Sequence, residues 1–481
     1  MILVLLVSIK QSEYKNNSLN LRIFVKQYTI FISIMKTRII IAAALLSLCT
    51  TLSAADGKEQ KIKTGWNFGV LPAVSYNSDL GLQYGVTADI FNYGDGSDFP
   101  RYNHKFTTEI SHYTKGMTRL HLFYDSKHLI PGVRVTAAAT YMNNPMFSFY
   151  GFNGSVQEYL PGMNANKNFF PENPANVHKH TAYGVAYYNF QRNMFRFLAD
   201  FQGQIAPNFN WAAGASFWSF DIKDIDNPAY ESSYTLYDFY KDKGVIKPGE
   251  ANGGNRLEMK AGVVYDSRDL DSAPSKGIWA EVYVNGSPDV FGDGYKYLKL
   301  SAHWRQYIQL ISNSRLVFAY HLGYQGTVAG EVPFYMQSNI TTLYLRQILS
   351  EGLGSINTVR GTLYNRMIGD SYAWGNFELR LKLCSFNFIN QSWYLVTNPF
   401  FDLGAIVKPY RLEEQAKADV FLSNKSLDEL TKEATKLHKS VGAGLKFVMN
   451  QNFIVGVEVG KCLNPEDNPG LGVNIGLNHI F

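Results

Sequence analysis

Apolar side chains recur at every second position through much of this chain, and that period constrains the fold more than any other feature. In 297–305, Leu298, Leu300, Ala302 and Trp304 alternate with Lys299, Ser301, His303 and Arg305. In 314–324, Leu316, Phe318, Tyr320, Leu322 and Tyr324 share one face, with Arg315 and His321 on the other. In 372–383, Phe377, Leu379, Leu381 and Leu383 oppose Trp374, Asn376, Glu378, Arg380 and Lys382. In 453–459, Phe453, Val455, Val457 and Val459 oppose Ile454, Gly456 and Glu458. Successive side chains of a strand point to opposite faces, whereas a helical stripe repeats roughly every 3.6 residues. These segments are strands with two unlike faces.

Sixteen strands can be placed, near 65–76, 80–92, 102–114, 117–127, 132–143, 185–204, 207–220, 256–267, 276–286, 296–310, 314–325, 372–384, 394–407, 437–448, 452–461 and 471–481. Splitting 178–204 would give seventeen. An even number returns the chain to the side of a membrane on which it started, so that segment is kept whole. The junctions at 311–313 and 449–451 are very short, and those at 144–178, 221–255, 326–371 and 408–436 are long. Short turns at one end and long loops at the other are the pattern of an outer-membrane barrel, whose apolar face meets lipid and whose polar face lines the lumen. A secreted sandwich with the same strands would leave long open edges. The charged, Leu-bearing stretch 411–436 reads as a loop with one or two short helices.

Composition excludes several other classes. Aromatic residues make up 15% of the 481 residues, too many for a disordered chain. Three cysteines cannot build a disulfide scaffold. A helical membrane protein needs apolar runs of roughly 20 residues, and none follows residue 55. The N-terminus reads as a targeting segment: Met35-Lys-Thr-Arg, an apolar run Ile39–Leu48, then Ser53-Ala54-Ala55. We expect a cleaved signal peptide at 35–55, a mis-annotated extension at 1–34, a short periplasmic stretch at 56–64 and a barrel over 65–481. The leader explains the charge. The formal +5 of the whole chain equals Lys10, Lys15, Arg22, Lys26, Lys36 and Arg38 less Glu13. The remaining chain is neutral, with no basic patch for a nucleic-acid partner.

The strand 471–481 alternates Leu471, Val473, Ile475 and Leu477 against Gly472, Asn474, Gly476 and Asn478, and ends in Phe481. Bacterial outer-membrane barrels carry such a terminal strand as an assembly signal, so the expected location is the outer membrane of a Gram-negative bacterium. Thr358-Val359-Arg360-Gly361-Thr362, in the longest loop, resembles the Val-Arg-Gly-aromatic motif of the BamA/TamA-type outer-membrane assembly barrels, the bacterial surface antigen family. Thr362 stands where that family places an aromatic residue. Gly375-Asn376-Phe377-Glu378-Leu379-Arg380 resembles the family's Gly-Asn-x-Glu-x-Arg strand, and Phe400-Phe401-Asp402-Leu403-Gly404 its Phe-x-Asp-x-Gly strand. Tyr265-Asp266-Ser267-Arg268-Asp269, followed by Pro274 to Gly277, resembles its periplasmic turn. The motifs occur in the family's order and spacing. The resemblance implies an all-β, 16-stranded antiparallel transmembrane barrel with a long loop folded into the lumen. With the first strand near Gly65, it also implies a barrel-only member without the family's POTRA domains.

The residues support part of this independently. Glu378 and Asp402 share the inward face of neighbouring strands. A guanidinium is a fork of donors that fits carboxylates. Arg360 between Glu378 and Asp402 would anchor a loop tip in a lumen. The lateral seam between first and last strands would carry Gly69, Pro72, Gly472 and Gly476; proline breaks a ladder bond and glycine weakens a strand, although glycines also serve ordinary barrel curvature. The family mechanism opens this seam for a client strand. The expected function is therefore help with outer-membrane protein assembly, insertion or translocation, as an accessory or complex subunit. The expected partners are outer-membrane lipid and lipopolysaccharide, assembly-complex subunits and client barrels. The alternative is a passive or gated channel lined by Lys299, Arg305, Glu378, Arg380, Lys382 and Lys446. A surface protein acting through its long loops is a third reading. No enzyme is expected, and no cofactor or metal: His178 and His180 form a pair without a nearby third ligand. Cys384 and Cys462 fall near opposite membrane faces, too far apart for a bridge.

Overall fold

The computed structural model describes residues 62–99, 101–157, 159–160, 186–225, 234–344, 348–354, 356–388, 391–419, 422–449, 453–477 and 479–481. The expected leader at 35–55, the preceding extension and the His178/His180 pair lie outside these residues. The chain divides into two compact units, 59–382 with 395–481, and 1–58 with 383–394. Of the second, the described residues are the facing ends of a hairpin in which the Phe386 and Trp393 rings stack with centroids 6.5 Å apart.

The first unit is a closed antiparallel barrel. Its strands run β1 (Trp66–Pro72), β2 (Ser75–Asn77), β3 (Gly81–Asn92), β4 (His104–Tyr113), β5 (Thr118–Ile130), β6 (Val133–Ser148), β7 (Asn189–Ala206), β8 (Phe209–Lys223), β9 (Gly253–Asp266), β10 (Gly277–Ser287), β11 (Tyr297–Ile311) and β12 (Leu316–Gly330). A small separate hairpin, β13 (Asn339–Leu343) with β14 (Ile348–Glu351), lies within the loop 331–370. The barrel resumes with β15 (Ser371–Phe388) and β16 (Gln391–Thr397), whose residues 383–388 and 391–394 belong to the second unit, and continues with β17 (Phe400–Lys408), β18 (His438–Met449), β19 (Phe453–Cys462) and β20 (Gly472–Leu477). β1 and β2 are one strand interrupted at Ala73-Val74, and β16 and β17 one interrupted at Asn398-Pro399. Counted so, there are sixteen strands, and each coincides with a segment placed from the alternation. Helices Leu412–Ala418 and Leu427–Ala434 occupy the expected stretch of the loop after β17.

Burial along each strand is the inverse of a soluble protein's. On β11, Lys299, Ser301, His303 and Arg305 are buried, while Leu298, Trp304 and Ile308 are exposed. On β12, Gln325 and His321 are buried and Leu322 is exposed; on β10, Glu281 and Asn285 are buried and Val282 and Val284 are exposed. A soluble protein would not expose a continuous apolar belt of this kind. In hydrocarbon, by contrast, apolar side chains belong outside, and every backbone polar group must find its partner in the sheet.

At the far end from the short turns, aromatic side chains of the long loops pack together. Phe149, Phe152, Tyr237, Tyr240, Phe334 and Tyr410 belong to one buried cluster drawn from four loops. Arg411 ties three of these loops together, its own and those of Glu250 and Glu331.

The last strand departs from expectation. It ends at Leu477 and does not continue to Phe481. In an extended strand Phe481 would follow Ile475 and Leu477 onto the lipid face. Instead Ile480 and Phe481 are buried in a cluster with Trp279, Tyr283, Tyr307 and Val317. The Phe481 ring centroid lies 5.6 Å from that of the inward-facing His321, and Arg380 Nη2 donates to Phe481 O at 3.1 Å. Burial among aromatic rings plus a charge-assisted hydrogen bond outweighs the few ladder bonds a longer edge strand would make.

The inverted burial predicts an asymmetric response to charge. Val282→Arg, on the outer face in mid-strand, is expected to destabilise the barrel by ~2–4 kcal/mol in bilayers, read as a lower urea midpoint of vesicle-embedded protein. A value near zero would contradict a lipid-facing position.

Candidate functional site

The loop 331–370 packs against inward-facing wall side chains. Lys299 Nζ donates to Met336 O at 3.2 Å, Gln325 Nε2 to Asn339 O at 2.7 Å, and Arg305 to Thr342 O. The motif forms a tight turn beyond these contacts. Thr358 Oγ1 donates to Gly354 O at 2.8 Å and accepts from Gly354 N at 3.0 Å. Thr362 N donates to Val359 O at 3.3 Å, and Gly361 between them has φ +89°, a conformation that L side chains resist.

This turn presents Arg360 to three strands. Its Nε and Nη2 donate to Asp402 Oδ2 and Oδ1, each at 2.8 Å, and its backbone N adds a third bond to Asp402 at 3.0 Å. Nη1 donates to Glu378 Oε1 at 2.5 Å and to Glu458 Oε1 at 3.0 Å. The guanidinium lies 3.5 Å from the centroid of the Phe400 ring. Arg360 is 3% exposed, and Glu378, Asp402 and Glu458 are likewise buried. Three carboxylates around one arginine would be unbalanced. Arg380 Nε reaches Glu378 Oε2 at 2.9 Å, and Lys446 Nζ reaches Glu458 Oε1 at 3.2 Å. Asn398 Nδ2 adds a bond to Glu458 at 2.8 Å. Three cations thus meet three anions, which is what permits so many charges at such burial.

The structure brings together Arg360, Glu378, Asp402, Phe400 and Arg380. Asn376 joins them, its Nδ2 donating to Thr358 O at 2.5 Å. Val359 is fully buried, and a Cβ at Gly404 would come within 2.6 Å of its Cγ2, so Gly404 makes room for the turn. Gly375 stands apart: its missing side chain would meet Phe377 and Leu322 on the outer face. Glu458 was not anticipated. Its only signal was a single carboxylate on the inward face of β19, between Gly456 and Gly460. The turn 267–276 is ordered by Asp269, which accepts from Ser275 N at 2.9 Å, and by Arg268, which pairs with Asp266 and lies 3.8 Å from the Trp279 ring centroid. Among the described residues no group of His, Cys, Asp and Glu is arranged to hold a metal.

The Omp85 superfamily domain model matches residues 132–454. The chain belongs to the Omp85 superfamily. It is an outer-membrane β-barrel of that group. Among solved structures it is similar to BamA from Haemophilus ducreyi lacking POTRA domains 1-3, with 14% identity, a TM-score of 0.52, and coverage of 86% of this chain and 70% of that one. It is also similar to CdiB from Escherichia coli, with 9% identity, a TM-score of 0.51, and coverage of 86% and 62%. At such identities the likeness is one of fold. No curated protein sequence matches the chain.

The seam between first and last strands is thin. Among the described residues β2 pairs with β20 at Tyr76↔Ile475 and Asn77↔Asn474, with Ser78 N donating to Val473 O at 3.3 Å. β1 pairs with β3 from Trp66↔Asn92 to Pro72↔Val86 and has no second strand partner among the described residues. Gly69 and Pro72 lie on this part of the edge. Gly472 and Gly476 lie on β20, where the loop 331–370 touches the first of them.

Removing Arg360 would leave Glu378, Asp402 and Glu458 buried with too little positive charge. Arg360→Ala is expected to cost ~3–5 kcal/mol, seen as a lower unfolding midpoint and faster proteolysis of 331–370. Arg360→Lys keeps the charge but loses the two-pronged bond to Asp402 and should fall between the two.

Proposed function

We propose that this barrel assists the insertion or translocation of other outer-membrane proteins, working as an accessory or subunit beside client barrels and assembly partners. The observation that carries the reading is the unpaired edge of β1. Trp66, Phe68 and Val70 point outward and are strongly exposed, Phe68 at 85%, while the backbone beside them has no ladder partner on the seam side among the described residues. An unpaired N–H or C=O in hydrocarbon costs several kcal/mol, so such an edge is a template for an incoming strand. BamA and CdiB share the fold, and Omp85 barrels are assembly or transport proteins, not enzymes. The lipid beside the seam, with its lipopolysaccharide, is the proposed environment of the transfer. The same edge is the reason to prefer this reading to a passive channel, as is the loop 331–370 held to inward-facing wall residues by a buried charge network. The signal peptide, and Phe481 as an assembly signal, belong to the same proposal.

The two readings part on one experiment. Tyr76→Cys with Ile475→Cys places two thiols at directly opposed positions, within disulfide reach. Oxidising that pair should lower client insertion into proteoliposomes by about tenfold or more, with recovery on reduction. A channel would keep its single-channel conductance under the same lock. Undiminished insertion through the locked seam would refute the proposal.

A further inference from the structure

The loop tip and the seam strand meet at three glycines. A Cβ added at Gly472 would lie 2.7 Å from Gly361 Cα, and one added at Gly460 would lie 2.9 Å from Gly361 N. A Cβ at Gly361 would in turn stand 2.7 Å from the carbonyl carbon of Gly460. Real Cβ atoms do not approach so closely, so the backbones of the loop, β19 and β20 touch only because all three positions lack side chains. One side chain reinforces the contact. Asn468 Nδ2 donates to Gly361 O at 2.8 Å, while its Oδ1 accepts from Gly470 N at 2.8 Å. Asn468 therefore ties the loop tip to the turn that leads into β20.

Gly476, four residues further along the same face, behaves differently. The nearest atoms to a Cβ there belong to Asn474 of its own strand, at 3.4 Å, an ordinary contact. The glycines of β20 are thus not equivalent: one is a docking point for the loop and the other is not.

We propose that Gly361, acting through Gly472 and Asn468, sets the position of β20 at the seam, so that the loop anchored by Arg360 is the positioning element for that strand. Arg360 immediately precedes Gly361 and is held by Asp402 on β17, Glu378 on β15 and Glu458 on β19. Three strands therefore fix Gly361, and Gly361 fixes the start of β20. The seam pair Ile475 lies three residues beyond Gly472, about 10 Å at the rise of a strand. Among the described residues, two register pairs to β2 and the bond from Ser78 N to Val473 O are what holds β20 on that side. Close-packed contacts of this kind shift as a unit and do not stretch. The inference rests on the reading of the seam as the working element, but its test measures the seam's geometry and not client insertion, so either can fail alone.

The test uses the full chain in outer-membrane vesicles, with the Tyr76→Cys/Ile475→Cys pair and its oxidative crosslinking rate as the readout. Gly472→Ala is expected to slow crosslinking by at least about fivefold, and Gly476→Ala to leave it within about twofold. A second pair on the far wall, Phe197→Cys with Phe217→Cys at opposed positions of β7 and β8, should react at the same rate in every variant. Equal rates for Gly472→Ala and Gly476→Ala would overturn the proposal, as would a parallel slowing of the far-wall pair. If Gly472→Ala fails to assemble, Asn468→Ala decides: it removes the bond to Gly361 and adds no atom. A slowed seam pair supports the coupling, and a rate equal to the parent's overturns it.

Discussion

The structure depends on a buried guanidinium. Arg360 is the one cation that all three carboxylates of the site bond to. Bringing such charges out of water is expensive, and good pairing geometry with additional hydrogen bonds is needed to offset the cost. Arg380, Lys446 and Asn398 supply further partners to Glu378 and Glu458. Directional bonds from one guanidinium to three strands favour one geometry, whereas an apolar plug could slide. This gives a physical reason for a charge cluster where hydrophobic packing alone would exclude water: it fixes the loop tip in register with particular strands.

The second constraint is the bilayer, which allows a strand no unpaired backbone. Along most of the barrel the ladder satisfies it, as between β6 and β7, which pair from Val133↔Gly203 to Ser148↔Asn189. The seam is the exception. Pro72 contributes no N–H, the first strand breaks at Ala73-Val74, and β20 stops at Leu477 because the chain beyond it buries Ile480 and Phe481 inside. Each departure is modest alone. Together they leave β1 without a second strand partner among the described residues, and the apolar side chains beside that edge are exposed.

Much of this was legible in the sequence. Period-two alternation placed all sixteen strands because a barrel wall has two solvents, lipid and lumen, so each strand records its orientation residue by residue. The pairing of Arg360 with Glu378 and Asp402 was legible because inward parity put both carboxylates on one face. What was not legible depends on distance through space. Glu458 is one polar residue between glycines on β19, and nothing local connects it to a loop almost one hundred positions away. The inward course of Phe481 is set by Tyr307, His321 and Arg380, which lie on three other strands. The alternation of 471–481 is equally compatible with a strand that continues. Gly472 and Gly476 look identical in sequence, and only the position of Gly361 separates them.

These features are linked through the order of the chain. The residue that carries the charge network is followed at once by the glycine that touches β20, so there is no flexible spacer between the anchor and the seam. A longer turn, or a side chain at Gly361, would decouple the two: the anchor could then stay bound while the seam strand moved. The φ of +89° at Gly361 and the missing side chains at Gly460 and Gly472 remove that freedom. Any movement of β20 at its outer end must then either carry the loop tip with it, against the bonds to Asp402, Glu378 and Glu458, or break the contact with Gly361. The barrel wall is rigid where its ladders are complete, so the mechanical choice falls on this one junction.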